Sequence, residues 1–590
     1  MKATPKTALR DPIRVASMDE LKEKGSIVVN GHDGPIAVFH HGDGQVHAVD
    51  NRCPHMGFPL HRGTIKDGIL TCHWHHADFD LESGCTFDLF ADDVPVYAVE
   101  TRNGDVWVSG SRDQSGDPEY WRNRLREGLE QNISLVNAKA VIALLKSGVS
   151  YKDIAVTGGR YGVRYRSSGW GPGLTILTAM TNLCGYLPRD EQILPLYQGL
   201  THVARDSNGQ PPRFDLQPLD TENLSFEQLK RWFRRFVEVR DTEGATRCLL
   251  TAVSMDSEPG LLVDMMMSAA TDHVFLDGGH VADFINKSTE LLDHIGWEHA
   301  DEVLPSTVGQ LCAAARSEER NAWRHPVDLA AILRGANAAL PGALASTSNG
   351  YAWDGPGELA EVILGDDPQA TVDTMLARLR DGMTPLQLSQ VVTYAAALRI
   401  ARFHTQNEFG DWITVLHTFT YANALHQALK RTGSPELIRG VFHGAMAVYL
   451  DRFLNVPPAR LPGERATADL AGETDEILDA FLTELDTQQQ VEPAARLVYR
   501  YLADGHPVDR LFRTLAISLL REDAEFHSFQ MLEAGIRQYE ELKGRTEADH
   551  MLIATARYLA AHAPTQRALN QTAQIALRLS RGEALYEEEV

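Results

Sequence analysis

The chain changes its hydrophobic rhythm once. Over residues 12–110 the apolar residues come in short runs: Ser26–Val29, Ile36–Phe39, Val46–Val49, Ile69–Cys72, Val94–Val99 and Val106–Ser109. Runs this short, bounded by turn residues, predict β-strands. The pairs Asn30-Gly31, Asp67-Gly68 and Asn103-Gly104 fall between them. Such pairs suit tight hairpins, whose central residues need positive φ. A polar, Gly/Ser-rich stretch at 111–119 reads as a linker. From 120 to 590 apolar residues recur at spacings of three and four, as in Leu224–Val239, Val281–Ile295, Leu386–Phe403, His417–Arg431, Glu492–Ala503 and His527–Leu542. That is the stripe of an amphipathic helix. One interruption, 154–173, is rich in Gly, Ser and Arg and predicts a loop or small hairpin.

The expected fold class is therefore multidomain. A small all-β domain at 12–110 precedes a large all-α domain at 120–590, with a subdivision near 310–340. His-Pro-Val-Asp occurs at His325–Asp328 and again at His506–Asp509, each time before a helical stretch. Duplicated helical units would leave this trace, and so would shared helix-start chemistry.

Charge narrows the partners. Asp plus Glu number 80 against 56 Lys plus Arg, a net charge of −24. Such a surface repels phosphate backbones and anionic membranes, so neither nucleic acid nor membrane is an expected partner. No stretch approaches the roughly 18 apolar residues of a membrane span. The polar start, Met1–Arg14, lacks the apolar core of a secretory signal. Six cysteines in 590 residues are too sparse for a disulfide scaffold, and a reducing cytoplasm is expected.

The clearest chemistry lies in two loops. Cys53-Pro54-His55 is followed after sixteen residues by Cys72-His73-Trp74-His75. Each loop offers one thiolate and one imidazole. Zinc also takes two Cys and two His, but zinc fingers pair Cys with Cys and His with His. Two mixed loops can instead give two Cys to one iron and two His to another. Residues 12–110, through Cys53-Pro-His-Met-Gly57 and Cys72-His-Trp-His75, resemble the Rieske [2Fe–2S] family. The resemblance implies a cluster held by Cys53, His55, Cys72 and His75. Respiratory members add a disulfide between the loops and hydroxyls against the sulfurs. Here Phe58 and Trp74 stand at the disulfide positions, and His76-Ala77-Asp78-Phe79 brings no hydroxyl. The resemblance is thus to the ferredoxin and oxygenase subtype, with a potential toward about −150 mV. Cys85 is expected to be a buried thiol, and His61, His73 and His76 a solvated loop surface.

Something must use the electron. There is no P-loop and no usable dinucleotide motif; Thr157-Gly-Gly-Arg-Tyr-Gly162 comes nearest. Flavin and nicotinamide chemistry is therefore expected in an external reductase or ferredoxin partner. The acceptor expected within the chain is non-haem Fe(II) among the helices. His280, Asp283, Lys287, Glu290 and His294 form one polar stripe on a predicted helix. His202, His417 near a helix start, and His527 one turn after Asp523 are further candidates. His426 falls on another face from His417. His280 and His294 are about 21 Å apart along a straight helix, so one iron accepts at most one of them.

Two further resemblances bear on that site. Ring-hydroxylating Rieske oxygenases place an acid, Asp, His and His at fixed spacing. His294 and His299 match the last interval, but Asp293 adjoins His294, and that family's catalytic domain is a sheet flanked by helices. In texture the helical part resembles the questin-oxidase-like oxygenases, through Gly279-His280-Val-Ala-Asp-Phe-Ile-Asn-Lys287 with His294 beyond. That resemblance implies an iron held by several histidines and a carboxylated lysine, here Lys287. The expected function is a Rieske-dependent oxygenase. It takes electrons from its partner and oxidises a small organic substrate, aromatic or polycyclic, with O₂. The competing reading is an electron carrier on a helical docking scaffold. Substrate and oligomeric state stay open.

Overall fold

The computed structural model describes all residues except 1–11, 32–33, 43, 113–116, 221–222, 346–350, 464–472, 584 and 586–590. Most of the polar start and the middle of the expected linker lie outside the described residues. The chain packs as two compact units, residues 1–157 with 569–590, and residues 158–568. The first therefore takes in helices Pro118–Glu130, Ser134–Lys146 and most of Ala568–Ser580 besides the β region.

Among the described residues nine strands form the β region: β1 Ile13–Ser17, β2 Ser26–Asn30, β3 Pro35–His41, β4 Gln45–Asp50, β5 Thr64–Lys66, β6 Ile69–Thr71, β7 Asp78–Asp80, β8 Val96–Arg102 and β9 Asp105–Arg112. Six make an antiparallel sheet in the order β1-β9-β8-β4-β3-β2, and β5-β6-β7 make a second. Side chains along β3 alternate between two cores. Ala37 and Phe39 pack with Cys53, Leu70, Cys72 and Phe79, whereas Ile36 and Val38 pack with Leu21, Val106 and Val108. A strand buried on both faces reads as an unbroken apolar run, as this one does. Asp67-Gly68 and Asn103-Gly104 take positive φ at both positions and close the β5-β6 and β8-β9 hairpins. Short β1, β5 and β7 and the helix Met18–Lys24 carry no such run and were not foreseen.

The rest is helical, with twenty-three α-helices from Pro118 onward among the described residues. None of them is long and apolar enough to cross a membrane. One expectation fails here. Residues 154–173 are not a loop or hairpin, because most of the stretch belongs to the helix Tyr151–Arg164 and the start of Pro172–Cys184. The glycines serve close packing: a Cβ on Gly158 would meet Leu200 at 2.3 Å, and one on Gly162 would meet Leu174 at 2.6 Å. Helix-breaking composition yields to tertiary contact at such positions.

Candidate metal centres

The two Cys-His loops close on themselves with one hydrogen-bond pattern. In the first, Cys53 N–H donates to Phe58 O (2.8 Å) and Gly57 N–H to Cys53 O (2.7 Å). In the second, Cys72 N–H donates to Ala77 O (2.8 Å) and His76 N–H to Cys72 O (3.0 Å). The fifth residue of each loop is left-handed, Gly57 at φ 84° and His76 at φ 60°. Each loop is thus a tight cup that turns its Cys inward.

Both thiols are buried in the core beneath the loops and hydrogen-bonded to each other. That bond and burial push the Cys53 thiol up; on Cys72 the same bond, with the backbone N–H groups of Trp74 and His75, outweighs burial and holds the thiol down. The His55 and His75 rings meet edge to face at 4.7 Å. His55 Nδ1 is buried with no hydrogen-bond partner among the described residues. Burial, with Lys139 and His75 nearby, lowers the His55 pKa to about 4, so the ring is neutral at physiological pH, the form in which an imidazole can bind a metal. Two converging thiols and an orphaned imidazole nitrogen fit a mixed Cys/His cluster.

Phe58 and Trp74 face each other at 6.1 Å, an aromatic contact between the loops, and all six cysteines are unpaired. The Thr71 hydroxyl, next to Cys72, donates to Asp78 Oδ1 (2.5 Å) rather than toward sulfur. His73 pairs with Thr64 Oγ1 (3.0 Å) and His61 with Asn51 Oδ1 (3.1 Å), outside the Cys-His set. Cys85 is exposed, contrary to expectation. Its carbonyl accepts from Asp80 N–H, and the turn that this bond closes leaves the thiol outside the core.

In the helical unit three of the expected residues converge. The ligating atoms of His280, His417 and His527 lie within 4.8 Å of one another. His417 Nε2 and His527 Nε2 are 2.9 Å apart, and the His280 ring lies 4.4 Å from that of His417. Each comes from a different helix: His280–Ile295, Phe409–Thr432 and Phe526–Leu542. Burial, reinforced by the neighbouring rings, pushes His280 down to about 4 and His417 to about 3. Neutral imidazoles with facing nitrogens are what a divalent cation requires.

The supporting groups explain why the rings meet. His280 opens its helix after a strained segment in which Phe275 (φ 43°), Asp277 (φ 46°), Gly278 and Gly279 are all left-handed. Such backbone persists only where its surroundings enforce it. Here a Cβ on Gly279 would come within 3.0 Å of Tyr421 and 3.2 Å of the His417 carbonyl. Glu525, the residue before the last helix, accepts from His527 N–H (2.8 Å) and lies 2.7 Å from His527 Nδ1. A carboxylate behind an imidazole fixes its tautomer and leaves Nε2 for a metal. Sequence reasoning gave this role to Asp523. That residue precedes the helix and instead meets Gln566 O and Ala568 N–H. His417 lies two turns inside its helix rather than near the start, because Glu408 and Asp411 form a capping box upstream.

The other candidates lie elsewhere. His202 is half-buried beside Phe529, 5.3 Å away, with its buried Nε2 lacking a partner among the described residues. His426 bonds Ser389 and Glu541. Lys287 is fully buried in an ion pair with Glu290 (2.8 Å) and Glu533. Arg537 bridges the same two carboxylates. Asn182 donates to both, and its oxygen accepts from His294 Nε2 (2.6 Å). Two carboxylates around Nζ suit an ammonium and oppose a carbamate. With Asp283 held by Gln530, these residues form a polar seam between the His280 and His527 helices.

The Rieske [2Fe–2S] domain family matches residues 11–98. The chain is 32% identical over 102 residues to the 3-phenylpropionate/cinnamic acid dioxygenase ferredoxin subunit of Photorhabdus laumondii, 17% of this chain and 95% of that protein. It is 37% identical over 91 residues to the vanillate O-demethylase oxygenase subunit of a Pseudomonas strain, 14% of this chain and only 25% of that protein. The cyanobacterial plasma membrane Rieske protein PetC3 of Synechocystis is similar in structure, at 31% identity and TM-score 0.15, over 16% of this chain and 97% of that one. The family match falls on the β region whose loops carry the Cys-His cups, and with the ferredoxin relative it shows that the chain belongs to the Rieske [2Fe–2S] family.

Proposed function

We propose that the protein is a Rieske-dependent non-haem iron oxygenase, with Cys53, His55, Cys72 and His75 holding the cluster and His280, His417 and His527 holding a single iron. The observation that carries this reading is the convergence of three histidines from three helices, with Glu525 behind one of them. The cluster would supply electrons singly, and the iron the chemistry that activates O₂. His280, His417 and His527 would hold the iron, and three nitrogen ligands are fewer than a non-haem iron accepts, so O₂ could still bind. Glu525 keeps a proton on His527 Nδ1 and so holds Nε2 free to ligate. Phe284, 5.2 Å from His280, and Phe526, 6.0 Å from it, put aromatic surface beside the histidines and favour an apolar, aromatic substrate. Relatives of the β region include oxygenase components and a ferredoxin subunit, which supports an external electron donor.

Iron content tests this against the carrier reading. Purified protein should hold three irons per chain, two in a cluster with a Rieske-type EPR signal when reduced and one released by a chelator without loss of that signal. Two irons per chain, all accounted for by the cluster, would establish the carrier instead.

A further inference from the structure

Lys139 sits in an apolar helical run, Val136 to Leu145, where a lone lysine has no packing reason to be buried. Its ammonium donates to Pro54 O (2.5 Å) and to Asp92 Oδ2 (2.9 Å). Pro54 lies between Cys53 and His55, so the charge is hydrogen-bonded to the backbone of the first cluster loop. Arg124, also buried, holds Asp92 from the other side (3.3 Å) and donates to Leu89 O and Ala91 O, both at 2.8 Å. A buried charge is costly unless paired, and Asp92 supplies the pair. Charges out of water act at long range on their neighbours.

We propose that Lys139 and Asp92 are positioning residues that set the reduction potential of the Rieske cluster, Lys139 raising it and Asp92 lowering it. Reduction adds one negative charge to a cluster. The ammonium on the Pro54 carbonyl favours that state, and the carboxylate opposes it. The proposal rests on the Rieske assignment alone and is independent of the iron among the helices.

The test is a dithionite titration of the full-length, cluster-loaded protein followed by EPR. Lys139→Gln keeps a donor for Pro54 but removes the charge. It should lower the equilibrium constant for reduction on the order of tenfold, 59 mV for one electron, with g-values unchanged. Asp92→Asn should shift it the opposite way. An unchanged potential in Lys139→Gln, or shifts of the same sign in both variants, would overturn the proposal, since loosening the loop has no reason to produce opposite signs. If Lys139→Gln does not load a cluster, Asp92→Asn decides: a potential at or below that of the parent protein rejects it.

Discussion

In the β unit four candidate ligands come from two loops, each giving a Cys and a His within four residues. In the helical unit three come from three helices, with 110 positions between His417 and His527 alone. The difference lies in what holds the geometry. Each cup is closed by its own backbone bonds, Cys53 to Phe58 and Cys72 to Ala77, so a stretch of six residues contains most of the information. The three-histidine site exists only if long helices dock in the right register. Its supports are correspondingly remote: a strained turn before His280, a carboxylate before His527, and a buried ionic seam between their helices.

The largest expected effect separates the two centres outright. Cys72→Ala should abolish the Rieske EPR signal and leave the chelatable iron in place. His417→Ala should do the reverse, losing that iron and O₂ consumption while keeping the signal. Metal analysis with EPR on both variants checks this. Loss of both iron populations in either variant would show that the centres do not form independently.

A smaller but still severe effect tests the seam. Lys287→Met leaves Glu290 and Glu533 buried with Arg537 and Asn182, and for Glu290 also Asn286, as their remaining partners. Breaking a buried pair by removing one member costs about 3–5 kcal/mol, and the expectation here is the lower end because Arg537 stays. Denaturant unfolding reads it. Lys287→Met with Glu533→Leu should recover part of the loss, since apolar replacements of a whole buried pair are tolerated better than half a pair. If the seam sets register, the single variant should also bind its non-cluster iron less tightly than the double.

These contrasts explain what could be read from the chain beforehand. The cups were legible because Cys-x-His and Cys-x-x-His put ligands and turn residues in adjacent positions. The helical texture was legible, and the His280–Ile295 helix matches the polar stripe seen in the sequence. That stripe turned out to hold two things, a histidine of the candidate metal site at one end and an ion-pair network beyond it. Spacing along one helix cannot reveal which face meets which neighbour. Glu525 was missed for a related reason. Helix arithmetic favoured Asp523, four residues before His527, but the helix starts at Phe526 and the acid just ahead of it does the work of a cap. The glycines of 158–162 were misread because their purpose is contact with Leu174 and Leu200, residues that only folding brings near.

Glu525→Gln gives a gentler test of remote support. The amide can still accept one bond from the His527 backbone, but its neutral oxygen holds Nδ1–H less firmly. Replacing such an outer partner weakens metal binding about 10–100-fold. Chelator competition should show a loss in that range, with unfolding stability little changed. Unaltered iron affinity would mean that His527 is oriented by packing against Phe526 and His417 alone.

The smallest effect returns to the cups. His76 stands where the first cup has Gly57, and both are left-handed. A non-glycine residue in that region costs about 1–2 kcal/mol. His76→Gly removes that cost but gives the unfolded chain more freedom, which takes back about 0.5–1 kcal/mol. The net expectation is a gain of a few tenths to about 1 kcal/mol, seen as a slightly raised melting temperature, with the reduced EPR spectrum unchanged. The imidazole is exposed and closes its cup through its backbone N–H, which glycine also has. A lowered melting temperature, or an altered spectrum, would show that the His76 ring supports the cluster. The second cup would then depend on a side chain where the first depends on backbone alone.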